Sequence, residues 1–204
     1  NIESVAANLP RIDYLGGTAH ILLEPQSTNT ATYSNDFTQG DIFSGSSNPS
    51  LNDAVLTANQ GTAPDGTNTA SLLKDNNDGS TGQSNLNYFG AVVVSDNFNT
   101  FSVFAKKSLS SGILMEFGGY DDGFPTAAFN LENGTLGFVN SNLTAKIEDY
   151  GSGWYRCQAT FQTTTDVQGF ARIGLTNSDG TSNVTRNGTN GVLLFGVQAE
   201  ADAS

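Results

Sequence analysis

"WYRCQATF", Trp154 to Phe161, decides the fold class. Side chains alternate along it with period two, so Tyr155, Cys157, Ala159 and Phe161 share one face. Trp154, Arg156 and Gln158 share the other. Strict alternation over eight residues is the signature of a strand with one face in a core. The same pattern recurs on both sides. Upstream, "FSVFAKK" aligns Phe101, Val103 and Ala105, and "ILMEFG" aligns Ile113, Met115 and Phe117. Downstream, "FARIGL" aligns Ala171, Ile173 and Leu175, and a last strand from Val192 to Ala199 aligns Leu193, Phe195, Val197 and Ala199. Turn signals such as Ser-Ser-Gly, Glu-Asn-Gly, Ser-Asp-Gly and Arg-Asn-Gly separate these runs. No stretch carries a helical period. Many short alternating strands joined by turns predict an all-β chain, a two-sheet antiparallel β-sandwich of jelly-roll type. Residues 38–69 are rich in Ser, Asn, Gly and Thr, and are expected to form loops with one or two short edge strands.

The 204 residues suit one sandwich domain and can bury a core without disulfides or metals. Only 14% are charged, which disfavours a helical bundle. The net charge of −12, with eight basic residues, lacks the positive face that nucleic acid or anionic membrane requires. The longest apolar runs are far shorter than a membrane span, so no insertion is expected. The chain begins without Met and stops at Ala-Asp-Ala-Ser, which suggests a piece of a larger protein.

Catalytic signals are absent. His20 is the only imidazole and no nucleophile motif accompanies it. Cys157 is the only thiol and sits in an alternating strand, so it reads as a small core residue. One His and one Cys cannot make a structural zinc site. Nothing in the spacing of the twenty acids selects a glycosidase pair, and the chain is expected not to be an enzyme. "KDNNDG" from Lys74 and "YDDG" from Tyr120 offer hard oxygens to calcium, but each is more simply a polar turn.

The outward strand faces carry more information. They place Phe104 and Lys106, Trp154 and Arg156, and Phe170 and Arg172 opposite the core. Tyr120 and Asp121 would border them. An aromatic ring stacks on the C–H face of a sugar, and planar donors and acceptors then read its hydroxyls. The competing reading is that these faces are themselves covered, with Trp154 as a core plug at a strand start.

"PRIDYLGGTAHILLEPQSTNTATYSNDF" (Pro10 to Phe37) resembles a stretch of phage tail-fibre and related virion surface proteins, where it leads into a jelly-roll domain of carbohydrate-binding-module type. The resemblance continues through "APDGTNTASLL", "FSVFAKK", "FNLENGTLG", "IEDYGSGWYRC" and "VLLFGVQAEA". It implies a lead-in over 1–28 and a binding domain over 29–204. The expected partner is a polysaccharide or host-surface glycan, with the domain outside the cell or on a virion and a homotrimer as parent. More loosely, the chain is similar to calcium-containing jelly-roll modules of polysaccharide-degrading enzymes. That resemblance implies a structural calcium at Asp36 and Gln198, although those modules usually carry Asp where Gln198 stands.

Overall fold

A computed structural model describes residues 11–15, 18–22, 29, 31, 34–37, 50–92, 98–118, 124–162, 168–177 and 180–201. Its strands are β1 (Arg11–Leu15), β2 (Thr18–Leu22), β3 (Ser50–Asn52), β4 (Ala54–Gly61), β5 (Ala70–Asp75), β6 (Thr81–Gly82), β7 (Asn85–Val92) and β8 (Phe98–Lys107). They continue with β9 (Gly112–Gly118), β10 (Thr126–Asn130), β11 (Thr135–Val139), β12 (Thr144–Asp149), β13 (Trp154–Gln162), β14 (Gln168–Thr176), β15 (Val184–Thr185) and β16 (Gly191–Ala201).

Two six-stranded sheets dominate. The first has the order β11-β10-β9-β14-β7-β3, and the second β12-β13-β8-β16-β5-β4. Their strand pairs are antiparallel. The chain repeatedly crosses from one sheet to the other, so the expected two-sheet antiparallel sandwich is what forms. β3 and β4 come from the polar segment 38–69 and are both edge strands, as expected there, with β4 running to eight residues. Within the lead-in, β1 and β2 pair as a hairpin with Asp13 opposite His20.

The core lies between the sheets. The first sheet contributes Ile113, Met115, Phe117, Ala171, Ile173 and Leu175, and the second Phe101, Val103, Ala105, Cys157, Ala159 and Phe161, all buried. These are the inward faces that alternation predicts. Burial pushes the Cys157 thiol far up, which keeps it protonated and unreactive.

The last strand departs from its predicted phase. Val192, Leu194 and Val197 enter the core, whereas Leu193 and Phe195 join a small outer cluster with Trp154. A bulge causes the switch. Phe195 pairs with Phe104 and Gln198 with Ser102, so Gly196 and Val197 together oppose Val103. Gly196 has φ +62°, and a Cβ there would stand 3.1 Å from Phe104 Cδ2. Glycine in the left-handed region at the first bulge position is the usual way to insert one residue. The bulge releases the Val197 N–H from the ladder, and it donates to the Ser34 carbonyl at 2.9 Å. Gly196→Ala is expected to cost about 1–3 kcal/mol through backbone strain and the Phe104 contact. A denaturant midpoint unchanged from wild type would contradict this.

Candidate functional site

The two sheets divide the expected platform. Phe104, Lys106, Trp154 and Arg156 stand on β8 and β13 in the second sheet, while Phe170 and Arg172 stand on β14 in the first. Residues on the two outer faces of a sandwich cannot line one surface. Tyr120 and Asp121 lie outside the described residues.

On the second sheet, Trp154 is only 2% exposed. Its indole N–H donates to the Thr62 carbonyl at 3.1 Å, and Ala63, Ala70 and Phe195 pack with it. Trp154 is therefore a buried plug under the chain that follows β4, which corrects its assignment as a surface ring. Phe104 is half-buried and meets the exposed Tyr150 edge-on at 4.8 Å. Arg156 Nη2 donates to Gln198 Oε1 at 3.0 Å. A guanidinium already sits on the oxygen that Gln198 would offer to calcium. Among the described residues no group of three His, Cys, Asp or Glu side chains could hold a metal ion. With that oxygen bonded to Arg156, Gln198 would have to turn to join Asp36 on a calcium ion.

The loop from Lys74 to Gly79 also has another occupant. Asp75 Oδ1 accepts from the Asn77 and Gly188 N–H groups at 2.9 and 2.7 Å. Asp75 Oδ2 accepts from Asn190 N and Nδ2 at 3.0 and 2.8 Å. Arg186 donates to both oxygens of Asp78, from Nε at 3.0 Å and Nη2 at 2.9 Å, and pairs with Asp53 through Nη1 at 3.1 Å. The hydrogen bond from Arg186 holds the Asp78 carboxyl well below its usual range. The carboxylate oxygens of Asp75 and Asp78 are thus committed to N–H donors and a guanidinium, whereas Asn76 Oδ1 is buried without a partner. Gly82 makes the room: a Cβ there would stand 2.7 Å from Arg186 Nη1.

The first sheet presents the more suitable surface. Phe170 pairs with Gly118 across the β14–β9 ladder. A Cβ on Gly118 would fall 2.2 Å from Phe170 Cζ and 2.8 Å from Phe124 Cδ1, so the missing side chain is what lets both rings lie across β9. The two ring centroids are 6.0 Å apart, and Phe124 is 63% exposed. Arg172 lies over the Phe170 ring with Cζ 4.9 Å from its centroid. Its guanidinium donates to Glu116 Oε1 at 2.5 Å, Asn87 Oδ1 at 2.7 Å and Gln83 Oε1 at 3.2 Å. Arg172 and Glu116 retain 23% and 13% of their side-chain exposure. Three acceptors fix the plane of the guanidinium, and Glu116 offsets its charge. Two rings tilted by 38° thus lie beside a guanidinium that covers one face of Phe170, with its partly exposed carboxylate partner Glu116 next to it.

Of the groups on this surface the sequence points to Phe170 and Arg172, and not to Glu116, Asn87, Gln83, Phe124 or Gly118. One signal was present. Glu116 is the single acid interrupting "ILMEFG", at an outward position of a strand otherwise read for its core face.

No known family and no curated protein sequence matches this chain. Solved structures do resemble it. One is the enzymatically active domain of tailspike protein 4 of bacteriophage CBA120, with TM-score 0.46 and 10% identity over 85% of this chain and 21% of that one. The chain therefore spans about a fifth of that tailspike chain. Another is TmCBM61 in complex with β-1,4-galactotriose, with TM-score 0.45 and 8% identity over 84% of this chain and 97% of that one. A third is TmCBM27, a carbohydrate-binding module described for specific mannan recognition, with TM-score 0.37 and 8% identity over 88% and 97%. The neighbours are a phage tailspike domain and two carbohydrate-binding modules. Such low scores and identities assign no role to any residue of this chain.

Proposed function

We propose that the chain is a non-catalytic module that binds a polysaccharide or cell-surface glycan on the outer face of its first sheet. The observation that carries this reading is the pair of rings Phe170 and Phe124 over Gly118, the second largely exposed, beside Arg172 and its three acceptors. Pyranose C–H bonds stack on the exposed Phe124 ring, and the partly exposed Arg172, Glu116 and Gln83 donate to and accept from the ring hydroxyls. The site offers no activated nucleophile, and the Glu116 carboxylate is tied to Arg172. A single shallow platform binds weakly. Several copies in a trimeric tail-fibre or extracellular parent would raise the avidity.

The test is titration against a panel of plant, algal and bacterial polysaccharides, with and without a calcium chelator. Phe124→Ala is expected to weaken binding about tenfold or more, as loss of an aromatic anchor does. Its melting temperature should stay close to wild type, because the ring is largely exposed. Equal affinity in the two proteins would sink the platform. Absence of binding across the panel, with a stable trimer in light scattering, would favour an assembly role. Leu136 and Phe138, 42% and 60% exposed on the edge strand β11, make that second reading concrete.

A further inference from the structure

The outer face of the second sheet carries cations that the chain itself does not neutralise. Among the described residues, Arg172 pairs with Glu116, Arg186 with Asp53 and Asp78, Lys107 with Glu132 and Lys146 with Glu148. Lys74, Lys106 and Arg156 pair with no carboxylate. Acids outnumber bases by twenty to eight, so a base without an acid partner is the exception to be explained. All three turn the same way. Leu73, Ala105 and Cys157 enter the core, so their neighbours Lys74, Lys106 and Arg156 point outward from β5, β8 and β13.

Arg156 gives this face its chemistry. It opposes Phe104 across the β13–β8 ladder and Lys106 opposes Trp154, so the two cations are diagonal neighbours, about 7–8 Å apart. The Nη2 bond to Gln198 holds the guanidinium in place, while Nε is buried without a partner. Arg172 is saturated by three acceptors, one of them a carboxylate, whereas Arg156 gains from an anionic acceptor brought to it. Glu148, opposite Arg156 on β12, is taken by Lys146. Tyr150 adds a stacking surface. It follows β12, and its ring reaches across β13 to Phe104 while the residue stays 51% exposed. The net charge of −12 opposes an anionic ligand at long range, but physiological salt screens charges beyond about 8 Å, so the nearby cations decide.

We propose that this face binds a uronate-bearing glycan, with a sugar ring on Tyr150, its carboxylate on Arg156 and the carboxylate of a neighbouring unit on Lys106. A planar carboxylate matches the guanidinium edge. In a uronate it is attached directly to the sugar ring, so stacking and ion pairing occur together. The surface lies on the sheet opposite Phe170, and the proposal stands whether or not the Phe170 surface binds.

Amide NMR titrations in the presence of a calcium chelator test it, with oligogalacturonate, oligomannuronate, the methyl ester of each, and a sulfated galactan oligomer. At least one uronate should shift signals of residues 102–106 and 150–158, more weakly as sodium chloride rises. Its methyl ester should bind about tenfold less tightly, the loss of one charged hydrogen bond. Tyr150→Ala should weaken uronate binding about tenfold at a melting temperature close to wild type. Arg156→Met should weaken it similarly, and Arg156→Lys should recover part of the affinity. Lys106→Gln serves where the Arg156 variants do not fold. The proposal is overturned if no uronate shifts those residues, if the ester or the sulfated oligomer binds there as tightly, or if shifts appear only when calcium replaces the chelator. Wild-type affinity in Tyr150→Ala would overturn it too. Uronate shifts confined to β9 and β14 would overturn it while supporting the first-sheet surface, and failure of neutral glycans at β9 and β14 would count against that surface alone.

Discussion

Trp154→Ala is expected to destabilise the domain by about 3–5 kcal/mol, the range for removing a large buried aromatic. The indole is 2% exposed, seals a cluster with Ala63, Ala70 and Phe195, and fastens the chain after β4 through its bond to Thr62. Truncation leaves a cavity on the outer side of β13 and a carbonyl without its donor. Against a total stability of about 5–15 kcal/mol, such a loss is severe. Trp154→Phe separates the two contributions. It keeps most of the volume but removes the N–H together with a smaller part of the ring, so about 1–3 kcal/mol should be lost. The informative comparison is with Phe124→Ala, which should do the reverse and weaken glycan binding without lowering stability. Should Trp154→Ala melt like wild type and bind weakly, the plug would be a surface residue after all.

Asp75→Ala should cost about 3 kcal/mol or more. The carboxylate is 2% exposed and accepts four hydrogen bonds, from Asn77 N, Gly188 N and both nitrogens of Asn190. Removing it orphans donors from two loops at once. The same group links stability to pH. Burial is the largest single influence on its pKa and acts to raise it, but the bonds from Asn190, Gly188 and Asn77 together outweigh burial and leave it lowered. A carboxyl lowered in the folded state stabilises fully above its unfolded value, near 4, and that stability disappears as pH falls through the folded value. Asp78, lowered chiefly by its hydrogen bond from Arg186, adds to the same acid-side loss. Melting curves from pH 7 to pH 2 should therefore drop below about pH 4 in wild type and fall less steeply in Asp75→Asn. Parallel acid slopes for the two proteins would remove Asp75 from this role.

Legibility in the sequence followed the physics of each element. The inward residues of β8, β9, β13 and β14 could be read because alternation reports burial directly, and each of those runs keeps its phase. β16 could not, because one inserted residue at Gly196 inverts every assignment on one side of it. A glycine inside an alternating run was the available sign. The platform was misassembled for a different reason. Alternation tells which side of a strand a residue occupies but not which sheet the strand joins, so Arg156 and Arg172 looked equivalent. They stand on opposite sheets. Arg186 was invisible because its partners Asp53 and Asp78 are distant in the chain and meet only when three loops converge.

The placement of β16 has a kinetic consequence. It lies between β8 and β5, pairing Ala201 with Asn99 and Leu194 with Ser71. Until this strand arrives, the β4–β5 ribbon has no ladder connecting it to β8, and the second sheet remains in two pieces. During synthesis the domain must wait for its C-terminal strand before that sheet can close, which exposes the flanks of β5 and β8 to wrong partners meanwhile. Pairings separated by about a hundred residues also place the domain among slow folders, on the scale of milliseconds to seconds. Refolding should therefore have a late cooperative step in which β16 zips between two preformed ribbons.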